Sequence, residues 1–285
     1  MFIRDFFQQD KSIISFEIFP PKENSSYDVL KDAITELAEL KPHFMSVTYG
    51  AGGGTSKNTV KICEEVQKKG ITALAHLTCV SATKDDIADI VQRFKENNIK
   101  NILALRGDSP KEQSQKISEY SYASDLVSIL KEQGDFCIGG ACYPEGHLES
   151  KSIEEDIEHI KIKVESGCEF LITQLYFDNA YLYRYMDLLR KKGINVPVVA
   201  GLMPVQSAKQ VARMCELSGA SIPIKFRKMM DKYADNPEAV AQAGIAYVTD
   251  QIIDLYANDI NGIHIYTMNK PAIAKKIVSN IDKLY

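Results

Sequence analysis

Strand-like and helix-like segments alternate along the whole 285-residue chain, and this alternation limits the fold more than any other feature of the sequence. Eight short runs rich in apolar and β-branched residues are each followed by a stretch with apolar residues at helical spacing. Eight strand–helix pairs over this length are typical of a (β/α)8 TIM barrel. We therefore predict an α/β fold in which residues 1–285 form a single barrel domain. The predicted strands are Ile13–Phe19, Phe44–Tyr49, Thr72–Thr78, Asn101–Leu105, Phe136–Tyr143, Phe170–Tyr176, Pro197–Leu202 and Gly262–Tyr266.

The predicted helices fill the intervals between these strands and follow the last one. An additional helical stretch is predicted at about Ile222–Tyr256, before the last strand. A doubly wound open sheet is the alternative architecture for the same elements. The even alternation and the closing strand–helix pair favour the barrel, and no GxGxxG motif follows the first strand. The predicted helices cover about 27–40, 56–69, 84 onward, 123–133, 152–166, 180–191, 207–217 and 271–284.

Charge and cysteine content argue against several classes of function. The formal net charge is -4, and the interspersed Lys and Glu residues argue against a nucleic-acid partner. The six cysteines form no CxxC pair and no zinc-ligand spacing, so we expect no metal site and no disulfide. The N-terminus lacks the apolar segment of a signal peptide, and no apolar run approaches the roughly 18 residues of a membrane span. We expect a reduced cytoplasmic protein with no membrane partner.

One carboxylate, Glu17, stands inside the first predicted strand, in the apolar segment SFEIFPP. A charge is costly to bury in apolar surroundings, so such an acid is usually neutralised, paired or functional. From this segment alone, a structural role in an ion pair or a solvent-facing position accounts for the presence of Glu17 as well as a functional role does.

Polar residues recur at nearly every predicted strand end, where a TIM barrel builds its active site. Each of them taken alone also has a structural explanation, such as loop capping or filling of the barrel interior. The chain shows no Ser–His–Asp pattern and no strand-end lysine for a Schiff base, so proton transfer and cofactor positioning are favoured over covalent catalysis. The candidates are Glu17, Thr48, Tyr49, His76, Arg106, Gly107, Asp108, Tyr143, His147, Gln174, Tyr266 and Lys270.

The predicted helix after the fifth strand carries a polar stripe beside its apolar face. Asp156, His159 and Lys163 fall at i, i+3 and i+7, so they share one side of the helix. This stripe is either a solvated face or a side wall for the polar end of an extended cofactor.

Nine segments of the chain resemble, in the same order, the motifs of the methylenetetrahydrofolate reductase family. They extend from Ser15 to about Lys270, and their number and order make the resemblance far more specific than any single motif. The chain looks like the short bacterial form, without the C-terminal regulatory domain of the eukaryotic enzymes. The segments are SFEIFPP, SVTYGAGG, HLTC, ALRGD, YASDLV, YPEGH, ITQLYFD, GLMPV and IYTMNK.

The resemblance implies a TIM-barrel flavoenzyme that binds FAD without a covalent link. Such enzymes take hydride from NADH or NADPH and reduce 5,10-methylenetetrahydrofolate to 5-methyltetrahydrofolate for methionine biosynthesis. We also expect a homo-oligomer. The competing hypotheses are another barrel enzyme, such as an aldolase or a flavin-dependent amine dehydrogenase, and a flavin- or folate-binding scaffold without activity.

The family motifs assign roles to individual residues. Glu17 matches the general acid, and Asp108 matches the acid placed near flavin and pterin. The expected substrate-binding residues are Gln174, Gln210, Tyr266 and Lys270. The positions expected to line FAD, to which the polar stripe adds His159, are Thr48, Tyr49, Ala51, His76, Arg106, Gly107, Asp108, Ala123, Tyr143, His147, Asp156 and Lys163.

Three residues depart from the family pattern. Ile162 stands where relatives can carry an arginine, so one phosphate contact is expected to be missing. Met214 stands where an aromatic ring can stack on nicotinamide or folate. Lys270 replaces an arginine expected to meet the glutamate tail of folate; a lysine keeps the charge but loses the bidentate fork.

Overall fold

Eight parallel strands close into a barrel in chain order in the computed structural model, which describes residues 1–9, 12–21, 26–49, 56–80, 82–107 and 119–284. The first strand pairs with both the second and the eighth, so the sheet has no edge. The predicted (β/α)8 barrel is therefore confirmed, and the open-sheet alternative is wrong. The strands are β1 (Ile13–Ile18), β2 (Phe44–Val47), β3 (Thr72–Thr78), β4 (Asn101–Leu105), β5 (Cys137–Cys142), β6 (Phe170–Thr173), β7 (Val198–Leu202) and β8 (Gly262–Ile265).

Helices follow the strands and pack around the barrel, with their apolar faces buried against the outer side of the sheet. Several begin at a capping side chain; Thr83, for example, forms a reciprocal capping box with Asp86. None of the described helices is long and apolar enough to cross a membrane. The helices are α1 (Ile3–Gln9), α2 (Tyr27–Ala38), α3 (Ser56–Lys68), α4 (Lys84–Glu96), α5 (Ala123–Gln133), α6 (Ile153–Glu165), α7 (Asn179–Lys191), α8 (Ala208–Ser218), α9 (Ile224–Lys232), α10 (Pro237–Ala257) and α11 (Pro271–Ile281).

The additional helical stretch predicted at about 222–256 is confirmed, and it consists of two helices, α9 and α10. Pro237 occupies the first turn of α10, where its missing N–H costs nothing. The side chain of Asn236 caps that turn by accepting a hydrogen bond from the Ala239 N–H at 3.1 Å. These two residues start a new helix instead of extending the previous one.

The short helix α1, which the sequence patterns did not predict, closes the N-terminal end of the barrel. The side chain of Ile3 is fully buried among apolar residues of the barrel interior, including Phe44 and Phe170. Its backbone N–H donates to Asn101 Oδ1 at 2.8 Å, and Arg4 forms an ion pair with Glu169 at 2.9 Å. Because α1 closes the N-terminal end, we expect a binding site at the C-terminal end of the barrel.

Candidate functional site

A cavity of about 1480 Å³ opens at the C-terminal ends of the strands and extends outward between the tops of α4, α5 and α6. Most of the residues predicted for the site line this one cavity. Ile162 and Met214, which depart from the family pattern, also line it. The predicted residues that the cavity brings together are Glu17, Thr48, Tyr49, His76, Arg106, Gly107, Ala123, Tyr143, His147, Asp156, His159, Lys163, Gln174 and Tyr266.

Of the other four predicted residues, two lie outside the described residues and two lie beside the cavity. Ala51 and Asp108 lie outside the described residues. Gln210 sits in the first turn of α8, where its Oε1 accepts a hydrogen bond from the Gln206 N–H at 3.2 Å. Lys270 is exposed at the N-terminus of α11, and its Nζ contacts Gln206 Oε1. Gln210 and Lys270 therefore share Gln206 as a neighbour beside the site.

The deep end of the cavity contains Glu17, whose side chain projects from β1 and is only 6% exposed as a residue. Two imidazoles face the same carboxyl oxygen, Oε2. The Nε2 atom of His76 on β3 lies 3.6 Å away, and the Nε2 atom of His264 on β8 lies 3.9 Å away. Burial lowers the pKa of His76 to about 4, although the nearby Glu17 opposes that shift. His76 is therefore neutral near pH 7.

A buried polar layer supports this end of the site. His264 Nδ1 lies 2.8 Å from Ser15 Oγ, and His264 Nε2 lies 3.3 Å from Ser46 Oγ. Sequence analysis missed Ser15, Ser46 and His264. Ser15 does share one face of β1 with Glu17 at i and i+2, which is the only local signal that pointed to it.

Tyr266 reaches across the barrel rim, because Gly201 leaves room for its ring. A Cβ at residue 201 would lie 2.5 Å from the Tyr266 hydroxyl oxygen and would collide with the Thr173 carbonyl. In that space the Tyr266 hydroxyl donates to the Thr173 carbonyl at 2.6 Å. The pKa of Tyr266 is raised well above its usual value, first by burial and then by Glu17, so the phenol stays neutral.

The side-chain amide of Gln174 is oriented by the backbone. Its Oε1 accepts a hydrogen bond from the Leu175 N–H at 2.8 Å. The amide NH2 therefore remains as the hydrogen-bond donor that Gln174 can offer to a ligand in the cavity.

The outer part of the cavity carries cationic groups that suit an anionic ligand. Arg106 binds Glu149 through both guanidinium NH2 groups, one of them at 2.6 Å. Lys163 Nζ donates to the Ala141 carbonyl at 2.7 Å, and burial lowers the pKa of this lysine. Burial and the neighbouring Arg106 likewise lower the pKa of His147.

Asp156 on α6 is a buried acid without full hydrogen bonding. Its residue surface is 3% exposed, and among the described residues no donor reaches its Oδ2 atom. Burial raises its pKa, while Lys163 and His159 oppose the shift. A buried carboxylate oxygen with an open acceptor position is well placed to bind a ligand N–H or O–H. No cluster of three or more potential metal-binding side chains occurs among the residues that the structure describes.

The chain matches the methylenetetrahydrofolate reductase family over residues 2–282. It is 36% identical to the 5,10-methylenetetrahydrofolate reductase of Pectobacterium carotovorum subsp. carotovorum, with 94% of this chain and 90% of that protein covered. The same identity is found with the Escherichia coli K12 enzyme, over 93% and 88% of the two chains. Methylenetetrahydrofolate reductase 1 of Schizosaccharomyces pombe is 34% identical, but only 47% of its length is covered.

One solved structure shares the fold at lower sequence identity. It is described as an uncharacterized protein from Clostridium thermocellum that binds two copies of 5-methyl-5,6,7,8-tetrahydrofolic acid. The two chains superpose with a TM-score of 0.66 at 17% identity, covering 100% of this chain and 99% of the other. This similarity concerns the barrel fold. The family match and the relatives at 36% identity show that the chain belongs to the methylenetetrahydrofolate reductase family.

Proposed function

We propose that this protein reduces 5,10-methylenetetrahydrofolate to 5-methyltetrahydrofolate with NADH or NADPH, using non-covalently bound FAD, and so supplies methyl groups for methionine biosynthesis. The proposal depends above all on the position of Glu17: in this member of the methylenetetrahydrofolate reductase family, its buried carboxyl group lies at the deep end of a large cavity. The folate-binding protein that shares the fold adds support for a folate ligand. The whole chain, residues 1–285, would act as one catalytic barrel.

The size of the cavity supports a cofactor as extended as FAD. Its volume of about 1480 Å³ exceeds the ~300–1,000 Å³ of ordinary small-molecule pockets, so it has room for a cofactor and a substrate together. Arg106 and Lys163 would balance the charge of the diphosphate, and the open acceptor on Asp156 would take a donor from the same cofactor. When bound, the flavin supplies hydride transfer between nicotinamide and folate.

Glu17 would act as the general acid for the folate substrate. The methylene bridge must open before it can accept hydride, and opening needs a proton on the departing nitrogen. Glu17 would donate that proton from its carboxyl group, whose Oε2 atom lies 3.6 Å from Nε2 of the neutral His76. Gln174 would orient the pterin through its amide NH2, and Asp108 is proposed to lie near flavin and pterin.

The proposal is tested by separating the two half-reactions in a stopped-flow instrument. Glu17→Gln keeps size and hydrogen bonding but cannot donate a carboxylic proton. Flavin reduction by the nicotinamide nucleotide should stay within about twofold of wild type, whereas reoxidation by methylenetetrahydrofolate should fall by about 10²–10⁴-fold. Glu36→Gln, which changes an exposed acid paired with Lys275, is the matched control and should leave both rates unchanged. Equal slowing of both half-reactions by Glu17→Gln would make Glu17 a structural residue.

The competing hypotheses and the remaining expectations have simple tests. Purified protein should be yellow, and acid precipitation should leave the colour in the supernatant because the flavin is not covalently held. Turnover of an amine instead of folate would favour an amine dehydrogenase. Asp108→Asn should slow folate reduction more than flavin reduction. The missing phosphate contact at Ile162, the lost stacking at Met214, homo-oligomerisation and the cytoplasmic location stay predictions.

A further inference from the structure

We propose that Asn269 is a positioning residue for the folate reaction: its side-chain amide fastens the end of β1, which carries Glu17, to the turn that follows β8. This inference rests on the proposed function, in which Glu17 protonates the substrate. Asn269 is not one of the described residues that line the cavity, so its role goes beyond that function and is exerted through its neighbours.

The main-chain pairing between β1 and β8 ends before the last residues of the first strand segment. The last pair in the register is Phe16 with Ile265. Pro20 and Pro21 follow Phe19 and carry no N–H, so the ladder cannot continue past them. Side chains of the turn after β8 take the place of the main-chain ladder at this point.

Three side-chain hydrogen bonds join the two segments. Asn269 Oδ1 accepts from the Phe19 N–H at 2.9 Å, and Asn269 Nδ2 donates to the Phe19 carbonyl at 2.8 Å. These partners fix the orientation of the amide, because a carbonyl only accepts and an N–H only donates. The buried Thr267 hydroxyl donates to the Glu17 carbonyl at 2.8 Å. One amide therefore serves both main-chain groups of Phe19, as the backbone of a neighbouring strand would.

The turn that carries Asn269 has an unfavourable backbone conformation. Met268 and Asn269 have φ angles of 53° and 54°, and in the described part of the chain no other two consecutive non-glycine residues both have positive φ. A left-handed φ is costly for a side chain as bulky as that of Met268. Strained residues of this kind persist where their surroundings hold them, and they cluster at active sites. The two hydrogen bonds to Phe19 hold this turn, and Met268 lines the cavity in this conformation.

The fastening therefore fixes two walls of the cavity relative to each other. Glu17 and Phe19 line it from β1, and Tyr266 and Met268 line it from the segment after β8. A proton donor must lie within hydrogen-bond reach of the atom that it protonates, and a misplacement of about 1 Å can lower a rate by about 10²-fold. Loss of the fastening would slow the step that uses Glu17 without removing any group that touches the substrate.

Hydrogen exchange at the Phe19 amide, followed by ¹H–¹⁵N NMR, tests the fastening without turnover. Asn269→Gly removes the side-chain amide, while glycine adopts the left-handed φ without strain. With FAD saturating in both proteins, the Phe19 amide should exchange about three- to tenfold faster in Asn269→Gly than in the wild type, the range that one hydrogen bond is worth. Equal exchange rates in the two proteins would overturn the proposal.

Stopped-flow measurements test the consequence for the reaction. Asn269→Gly should slow flavin reoxidation by methylenetetrahydrofolate about five- to fiftyfold, whereas flavin reduction by nicotinamide should stay within about threefold of wild type. Thr267→Val keeps the shape of the side chain but loses the bond to the Glu17 carbonyl, so it should act in the same direction and provides the test if Asn269→Gly does not fold. Equal slowing of both half-reactions would make the fastening purely structural and overturn the proposal.

A double-mutant cycle tests whether Asn269 acts through Glu17. In a Glu17→Gln protein the proton donor is already lost, so adding Asn269→Gly should slow reoxidation by less than about threefold. Losses that multiply in full would show that Asn269 acts by another route, and the proposal would fall.

Asn98→Gly is the matched control. Asn98 also has a φ of 54°, but it is exposed just beyond the C-terminal end of α4 and does not line the cavity among the described residues. This substitution should leave both half-reactions and the exchange of the Phe19 amide unchanged; an effect as large as that of Asn269→Gly would overturn the proposal. A wild-type protein that fails to reduce folate would refute the proposed function and this inference with it. A wild-type protein that does so, with reoxidation unaffected by Asn269→Gly, would refute the role of Asn269 alone.

Discussion

Replacing His76 by glutamine should remove much of the loss of stability that this protein suffers on acidification. His76 is buried, and its pKa is lowered from 6.5 to about 4, mainly by burial. Between these two values the unfolded chain binds a proton at residue 76 and the folded chain does not, so stability falls as pH drops from about 6.5 towards 4. From pH 7 to pH 5 this one group lowers the free energy of unfolding by about 2 kcal/mol, at ~1.36 kcal/mol per pKa unit.

The assay compares unfolding of wild type and His76→Gln at pH 7 and pH 5, in urea and by heating, with FAD at the same saturating concentration. Other groups titrate over this range in both proteins, so the informative quantity is the difference between the two pH dependences. The wild type should lose about 2 kcal/mol more than the variant, which corresponds to roughly 3 °C in Tm for a chain of 285 residues. Glutamine can place an amide near the position of the His76 Nε2 atom but cannot titrate. Identical pH dependence in the two proteins would refute the conclusion that His76 is buried in its neutral form.

Three further changes test other parts of the structure. Ile3→Ala empties a fully buried position at the closed end of the barrel, so it should lower the free energy of unfolding by about 2–5 kcal/mol in urea and leave the flavin spectrum unchanged. A loss below about 1 kcal/mol would contradict the packing of α1. Gly201→Ala should displace Tyr266, lower the free energy of unfolding by about 1–3 kcal/mol and raise KM for folate. A wild-type free energy of unfolding together with a wild-type KM would show that the Tyr266 ring is not displaced. Lys270→Ala should raise KM for folate more than it lowers kcat. The difference in KM between wild type and variant should shrink at high salt, because an exposed charge is screened. A kcat defect at unchanged KM would count against a contact between Lys270 and the glutamate tail of folate.

The sequence by itself determined the architecture, because strand and helix periodicities are local properties of the chain. The helix over Ala123–Gln133 and the strands over Thr72–Thr78 and Asn101–Leu105 begin and end where the patterns predict. The barrel then follows from the number and order of the elements. Strand ends in a barrel share one rim, so most of the polar residues predicted there line one cavity.

Only the tertiary structure decided which polar groups touch one another. Ser15 and His264 are 249 positions apart, and they meet because β1 pairs with β8 when the barrel closes. No local pattern distinguishes a histidine such as His264, which lies beside the acid Glu17, from one that only fills the interior. The same holds for α1, whose seven residues are too few for a clear helical period and whose apolar side chains find their partners only inside the closed barrel. Periodicity specifies each element, whereas contacts between distant elements depend on closure and register, which are properties of the whole sheet.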